Sequence, residues 1–147
     1  MTKLIRRLTK DEDGQAMILV AILMVGLIAV VGLVTDGGMV FSQRRDLQNV
    51  ADAAALAGAS QIDQGAYRAS AGETVSLDQA AAYDAAVGYL EDEGGLDYAV
   101  AVTPGRVDVS VSRQATTGFL RVLGIDDVEI SASATAEPRH GIEAAQP

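Results

Sequence analysis

Ala16-Met-Ile-Leu-Val-Ala-Ile-Leu-Met-Val-Gly-Leu-Ile-Ala-Val-Val-Gly-Leu-Val34 is an uncharged apolar run of 19 residues. At about 1.5 Å per residue, a helix of this length nearly crosses a hydrocarbon core of about 30 Å. Lys3, Arg6, Arg7 and Lys10 precede it, and Arg44 and Arg45 are the next basic residues. A secretory signal peptide shares the basic start, but its apolar stretch is roughly 7–15 residues and ends in a small-residue cleavage site. Thr35-Asp36-Gly37-Gly38-Met39 does not have that form. The segment reads as a retained, single-pass transmembrane helix in contact with membrane lipid. Lys and Arg are retained on the cytoplasmic side, which predicts a cytoplasmic N-terminus and an extracytoplasmic C-terminal domain at the cell membrane.

Outward from that run, the chain organises into four parts. Residues 1–14 are a basic leader, 15–60 the transmembrane helix and its extension, 61–137 a small head, and 138–147 a flexible tail. The extension carries apolar or small residues at Val40, Leu47, Val50, Ala51, Ala54 and Gly58, the spacing of one helical face. Arg45, Asp46, Gln48, Asn49 and Asp52 cover the other side. Gly37-Gly38 is the weakest point of this helix, since each glycine costs about 1 kcal/mol against alanine. Residues 61–75 read as a loop. A second helix is expected from Ser76, where Ser76-x-x-Gln79 has the form of a capping box. Ala80, Tyr83, Val87 and Leu90 make its stripe, and Gly94-Gly95 ends it.

The remainder alternates as strands do. Tyr98–Val102 and Arg106–Ser112 flank Thr103-Pro104-Gly105-Arg106, a turn with Pro and Gly at its centre. Val107, Val109 and Val111 share one face. Thr116–Gly124 predicts a helical turn or two with Phe119, Leu120 and Leu123 inward. A last strand runs from about Val128 to Ala136. An antiparallel sheet with one apolar face must be covered, and the helix from Ser76 and the extension of the first helix are available. The fold class is α+β: a long N-terminal helix, a small antiparallel sheet and one covering helix.

Composition narrows the function. The formal net charge is −9, and the first 34 residues hold four basic against three acidic side chains. The acidity therefore lies after the span. Phosphate backbones are bound by Lys and Arg that displace counterions, so no nucleic acid is expected as a partner. The chain has no cysteine, which removes disulfides and thiolate metal sites.

Sequences with chemical overtones resolve into structural ones. Asp108-Val109-Ser110-Val111-Ser112 has the D-x-S-x-S form of a von Willebrand A-type metal site, but polar residues at spacing two are also the wet face of an amphipathic strand. The further metal ligands of that fold come from later loops of a parallel sheet, for which the residues after Ser112 leave no room. Asp11-Glu12-Asp13-Gly14 lacks the glutamate of a calcium loop, since Val20 stands there. His140 is the only histidine and has no evident partner for acid–base work. The chain has no nucleophile elbow and no phosphate-binding glycine loop. Hence no enzyme, catalytic residue, metal or cofactor is expected. Gly26 and Gly32 within the span are small residues of the kind that let helices approach in lipid. Asp36, at the edge of the span, either sits among headgroups or pairs with a basic partner.

Three segments resemble the N-terminal module of the TadE/TadG-like proteins of the Flp, or tight-adherence (Tad), pilus-assembly system. They are Gly14-Gln-Ala-Met-Ile-Leu-Val with its apolar span, Asp36-Gly-Gly, and QRRDLQNVADAAALAG from Gln43 to Gly58. Phe119-Leu-Arg-Val-Leu-Gly124 and Val128–Ala136 are similar, more loosely, to that family's closing segment. The resemblance implies a structural, membrane-anchored component of a pilus assembly or secretion apparatus, pseudopilin-like or minor-pilin-like. Other pilus-assembly or pseudopilin subunits would be its partners, in a homo- or hetero-oligomer. It implies processing between Gly14 and Gln15, although the glutamate that prepilins carry at the fifth mature position is Leu19 here. The longer members carry a von Willebrand A domain that this chain does not reach. Leu47, Val50, Ala51 and Ala54 are the expected helix-packing interface. The alternative reading is a membrane-tethered adhesin or envelope binding module unrelated to pili.

Overall fold

In a computed structural model of the chain, residues 2–139 are described, with residues 2–13 and Leu123 known by their backbone only. His140 and residues 140–147 of the expected tail lie outside the described residues. The elements run α1 (Thr2–Ala59), α2 (Gln64–Ala69), α3 (Gln79–Glu93), β1 (Asp97–Thr103), β2 (Arg106–Thr116), a 3₁₀ turn (Leu120–Leu123) and β3 (Asp127–Ala136). The architecture is α+β, with a long N-terminal helix and a three-stranded antiparallel sheet. Gly37-Gly38 does not break α1, which is helical throughout that pair. Two compact units are present, Met1–Met39 with Thr116–Asp126 and Val40–Ala115 with Asp127–Pro147.

In the second unit the sheet order is β1-β2-β3. β1 and β2 pair antiparallel from Asp97↔Ser112 to Thr103↔Arg106, so the Pro104-Gly105 turn closes a tight hairpin. Val107, Val109 and Val111 are buried, and β2 runs past Ser112 to bury Ala115 as well. In β3, Ile130 is buried while Val128, Ala132 and Ala134 are half-buried, and the alternate residues are exposed. Against this apolar face pack Leu47, Ala51, Ala54, Ala55 and Ala59 of α1 and Ala82, Ala86 and Leu90 of α3.

The alanines have a steric reason. A Cβ on Gly58 would lie 2.9 Å from the Ala82 carbonyl oxygen and 3.2 Å from both Val107 methyls. Backbones this close leave room only for the smallest residues, which accounts for the A-D-A-A-A-L-A-G pattern at the end of α1. The same closeness corrects the α3 stripe. Ala82, Ala86 and Leu90 face inward, Tyr83 is 47 % exposed and Ala80 is exposed. A tyrosine cannot enter where the helices nearly touch, so α3 is turned to present alanine.

The start of α3 also differs from the capping-box expectation. Its N-cap is Asp78, whose carboxylate accepts from the Ala80 and Ala81 N–H groups at 3.2 Å. Residues 76–78 are instead held extended: the Asp63 N–H donates to the Ser76 carbonyl, the Leu77 N–H to Pro104 and the Asp78 N–H to Gln61. Buried Leu77 pins that strand-like segment. Residues 61–75 are not wholly loop. Asp63 caps α2 by accepting from Gly65 and Ala66 at 2.8 and 3.0 Å.

Candidate functional site: the span and the loop on its flank

In the first unit, the side chains of residues 14–31 on α1 are all exposed, and in the wider apolar run only Gly32 is buried. The core helix of a soluble protein would be mostly buried; here 6 % of the most apolar window is. α1 is the one helix among the described residues long and apolar enough to cross a membrane. Thr35 spends its hydroxyl inside the helix, donating to the Val31 carbonyl at 2.8 Å.

One turn beyond Gly32, on the same side of the helix, is Asp36, which is 1 % exposed. Its carboxylate accepts three backbone N–H groups of the segment after β2. Gly118 and Phe119 donate to Oδ1 at 3.1 Å, and Leu120 donates to Oδ2 at 2.6 Å. These N–H groups open the 3₁₀ turn, where no intrahelical acceptor exists. The turn has no cap from its own neighbour Phe119, so Asp36 performs that office from 82–84 residues upstream.

The base of the loop is closed by Thr117, which is buried. Its N–H donates to the Asp126 carbonyl at 3.0 Å, and its hydroxyl reaches the carbonyls of Ile125 and Asp126. A compact loop with joined ends results. Two glycines fit it to α1. A Cβ on Gly118 would sit 2.9 Å from the Asp36 carboxylate, and one on Gly32 would overlap the Phe119 side chain. An apolar groove of about 420 Å³ runs between Val25, Ile28, Leu33 and the loop's Phe119, Leu120 and Val122.

Asp36 thus contacts the chain itself. The sequence reading placed it at the membrane edge with a headgroup or a basic partner and missed this acceptor role. It also turned Phe119 inward, whereas Phe119 lies on Gly32 and stays 46 % exposed. The available signal was the nine residues Thr117–Ile125, too apolar for an ordinary surface loop and framed by Gly118 and Gly124.

The remaining named residues fall as follows. Gly14 and Gln15 are exposed on α1, with open space around Gly14. Leu47, Ala51 and Ala54 are fully buried in the chain's own core and Val50 is half-buried against it. The large apolar side chains left outward on this part of α1 are Met39, Phe41 and Leu56, the last two each 67 % exposed. Asp108 is engaged on both oxygens, by Arg106 Nε at 2.8 Å and Thr135 Oγ1 at 2.7 Å. Between β1 and α3, the Tyr98 hydroxyl donates to Glu91 at 3.4 Å. Desolvation first, and then the Glu91 charge, push this phenol above its ordinary value. An open groove of about 550 Å³, lined by polar and apolar side chains in similar measure, lies between Arg44, Tyr98, Ser112 and Glu129. No cluster of three His, Cys, Asp or Glu residues able to hold a metal occurs among the described residues.

Residues 14–61 match the family model described as Putative Flp pilus-assembly TadE/G-like. The match runs from the start of the apolar span to just beyond the end of α1 and so includes Gly32, Asp36 and the alanine face. No curated protein and no solved structure matches the chain.

Proposed function

We propose, from the TadE/G-like match of residues 14–61 and the exposed apolar span within it, that this protein is a membrane-anchored structural component of a Tad-type pilus assembly or secretion apparatus. Its role is pseudopilin-like or minor-pilin-like: the span fixes it in lipid and the head presents surfaces to other subunits. The observation that carries this is the coincidence of the family match with a helix whose apolar side chains face outward over residues 16–34. The basic residues before the span place the N-terminus in the cytoplasm and the head outside. Gly14-Gln15 is an exposed bond at which a prepilin-type peptidase would act. No catalytic constellation is part of this function.

Contacts with other subunits would use the outward face of α1 at Phe41 and Leu56, because Leu47, Ala51 and Ala54 are already occupied within the fold. The test is Phe41→Glu with Leu56→Glu in cells that carry the pilus genes. Both positions are exposed, so the head remains folded while pilus subunits cease to co-purify. Retention in the membrane after alkaline carbonate tests the anchor. Release of native protein by that wash, or undiminished co-purification of the double variant, would overturn the respective parts of the proposal. Intact mass of membrane-extracted protein reads the processing step, as loss of residues 1–14.

A further inference from the structure

Phe119, Val122 and Ile125 are 46 %, 84 % and 46 % exposed on a loop that has a fixed place against α1. That place is beside Val25–Leu33, in the distal half of the apolar run. Whatever medium bathes this part of α1 therefore also bathes Val122. We propose that residues 117–125 form a membrane foot, a short segment seated in the bilayer against the flank of the span, with lipid filling the apolar groove between them. This rests on the reading of residues 16–34 as a membrane span.

Three observations beyond exposure favour lipid as the occupant. The first is backbone satisfaction. Irregular backbone is excluded from hydrocarbon unless its N–H and C=O groups find partners. The N–H groups of residues 117–120, 122, 124 and 125 all have them. Those of 118–120, which open the turn, are satisfied by Asp36 of α1. In water, solvent would meet the same need. The second is composition: one charge, Arg121, occurs in Thr117–Ile125. The third is where that charge lies. Arg121 is exposed at the base side of the turn, 3.3 Å from Asp126, which follows the apolar stretch. A long basic side chain of this kind reaches the polar interface while its neighbours remain in lipid.

The chain contains no cysteine, so a single reporter is unique. Full-length Val122→Cys and Leu23→Cys are each labelled with the fluorophore NBD. They are reconstituted into phosphatidylcholine–phosphatidylglycerol vesicles with or without brominated acyl chains. Both side chains are exposed, so neither label disturbs packing. The expected result is bromolipid quenching at position 122 at least half as strong as at position 23, with both labels shielded from aqueous iodide. Quenching at 23 but not at 122, with 122 open to iodide, overturns the foot and leaves the anchor standing. A label at 122 shielded from both quenchers means that protein fills the groove, and also overturns it. Absence of bromolipid quenching at 23 overturns the anchor, and the foot with it.

Discussion

Replacing one glycine by alanine in α1 and another in α3 should change stability in opposite directions. Gly88 lies in the middle of α3, and an added Cβ there meets nothing within 4 Å. The substitution removes the backbone freedom of glycine and should stabilise by about 1 kcal/mol. Gly58 is next to the last residue of α1, so its propensity gain is smaller. Its Cβ would stand 2.9 Å from the Ala82 carbonyl oxygen and 3.2 Å from two Val107 methyls. Ordinary contact begins near 3.4 Å, so α3 must move away by roughly 0.5 Å, and a gap of that size forfeits about a quarter of each contact's attraction. The alanines of this face have few atoms with which to re-establish contact, and overpacking of this kind costs about 1–3 kcal/mol. The net effect of Gly58→Ala is a loss of about 1 kcal/mol, which places the two variants about 2 kcal/mol apart. The assay is urea unfolding of the full chain in mild detergent, followed by tyrosine fluorescence, since the chain has no tryptophan. With a slope of about 1–2 kcal/mol per molar urea, the midpoints should differ by about 1–2 M. If Gly58→Ala raises the midpoint as Gly88→Ala does, the close approach of α1 to α3 is refuted, and with it the steric account of the alanine-rich motif.

Asp36→Ala removes the acceptor of three N–H groups, so amide exchange at residues 118–120 should accelerate at least tenfold while exchange in β2 stays unchanged; equal protection in both proteins would show that the carboxylate does not hold the loop. Gly32→Ala should displace Phe119 and Gly26→Ala should not, because a Cβ at position 26 meets open space; the reading is the aromatic signal of Phe119 in selectively labelled protein. Leu47→Ala should destabilise by about 2–5 kcal/mol, the range for a leucine emptied from a packed core, whereas Leu56→Ala should stay within about 0.5 kcal/mol, being a surface change. Tyr98, identified by the difference between wild type and Tyr98→Phe in an ultraviolet titration, should ionise above 10.0. Its raised value means that the folded state holds the phenolic proton more firmly, so this contribution to stability is present below pH 10 and fades as pH rises through the folded value. Glu91→Gln should move the titration back down.

Much of the fold could be read from pattern alone because it depends on local rules. A run of 19 apolar residues needs no partner to declare its environment. Alternation in Val107-Asp-Val-Ser-Val111 fixes which face is buried, and Pro104-Gly105 fixes the turn. The readings that failed depend on contacts between distant segments. Ser76 and Gln79 have the right types for a capping box, but residues 76–78 are drawn out of helical geometry by hydrogen bonds to residues 61, 63 and 104. The stripe of α3 followed size and hydropathy and so favoured Tyr83. The deciding quantity was how near α1 comes, which is written at Gly58 and not in α3. Asp36 is the extreme case, since its donors lie more than 80 residues away and nothing around position 36 reports them.

That separation changes how the Asp36-Gly37-Gly38 segment is understood. A carboxylate two residues past an apolar run is ordinarily explained by the headgroup region, where any acidic residue would serve. Here the geometry is restrictive. The side chain must be short enough to hold three successive N–H groups against the helix, and both oxygens must accept. Glutamate would lift the loop by about one methylene and shift Phe119 off Gly32. Asparagine presents one carbonyl oxygen and turns an amide donor toward the Leu120 N–H. Glycine at position 32 and glycine at 118 remove the two Cβ atoms that would block the approach. Three residues scattered over the sequence thus encode one contact. The consequence is checked by ordering substitutions: Asp36→Glu should retain part of the amide protection at residues 118–120, Asp36→Asn less, and Asp36→Ala none. An order set by charge alone would leave glutamate equal to wild type, and that result would refute the geometric requirement.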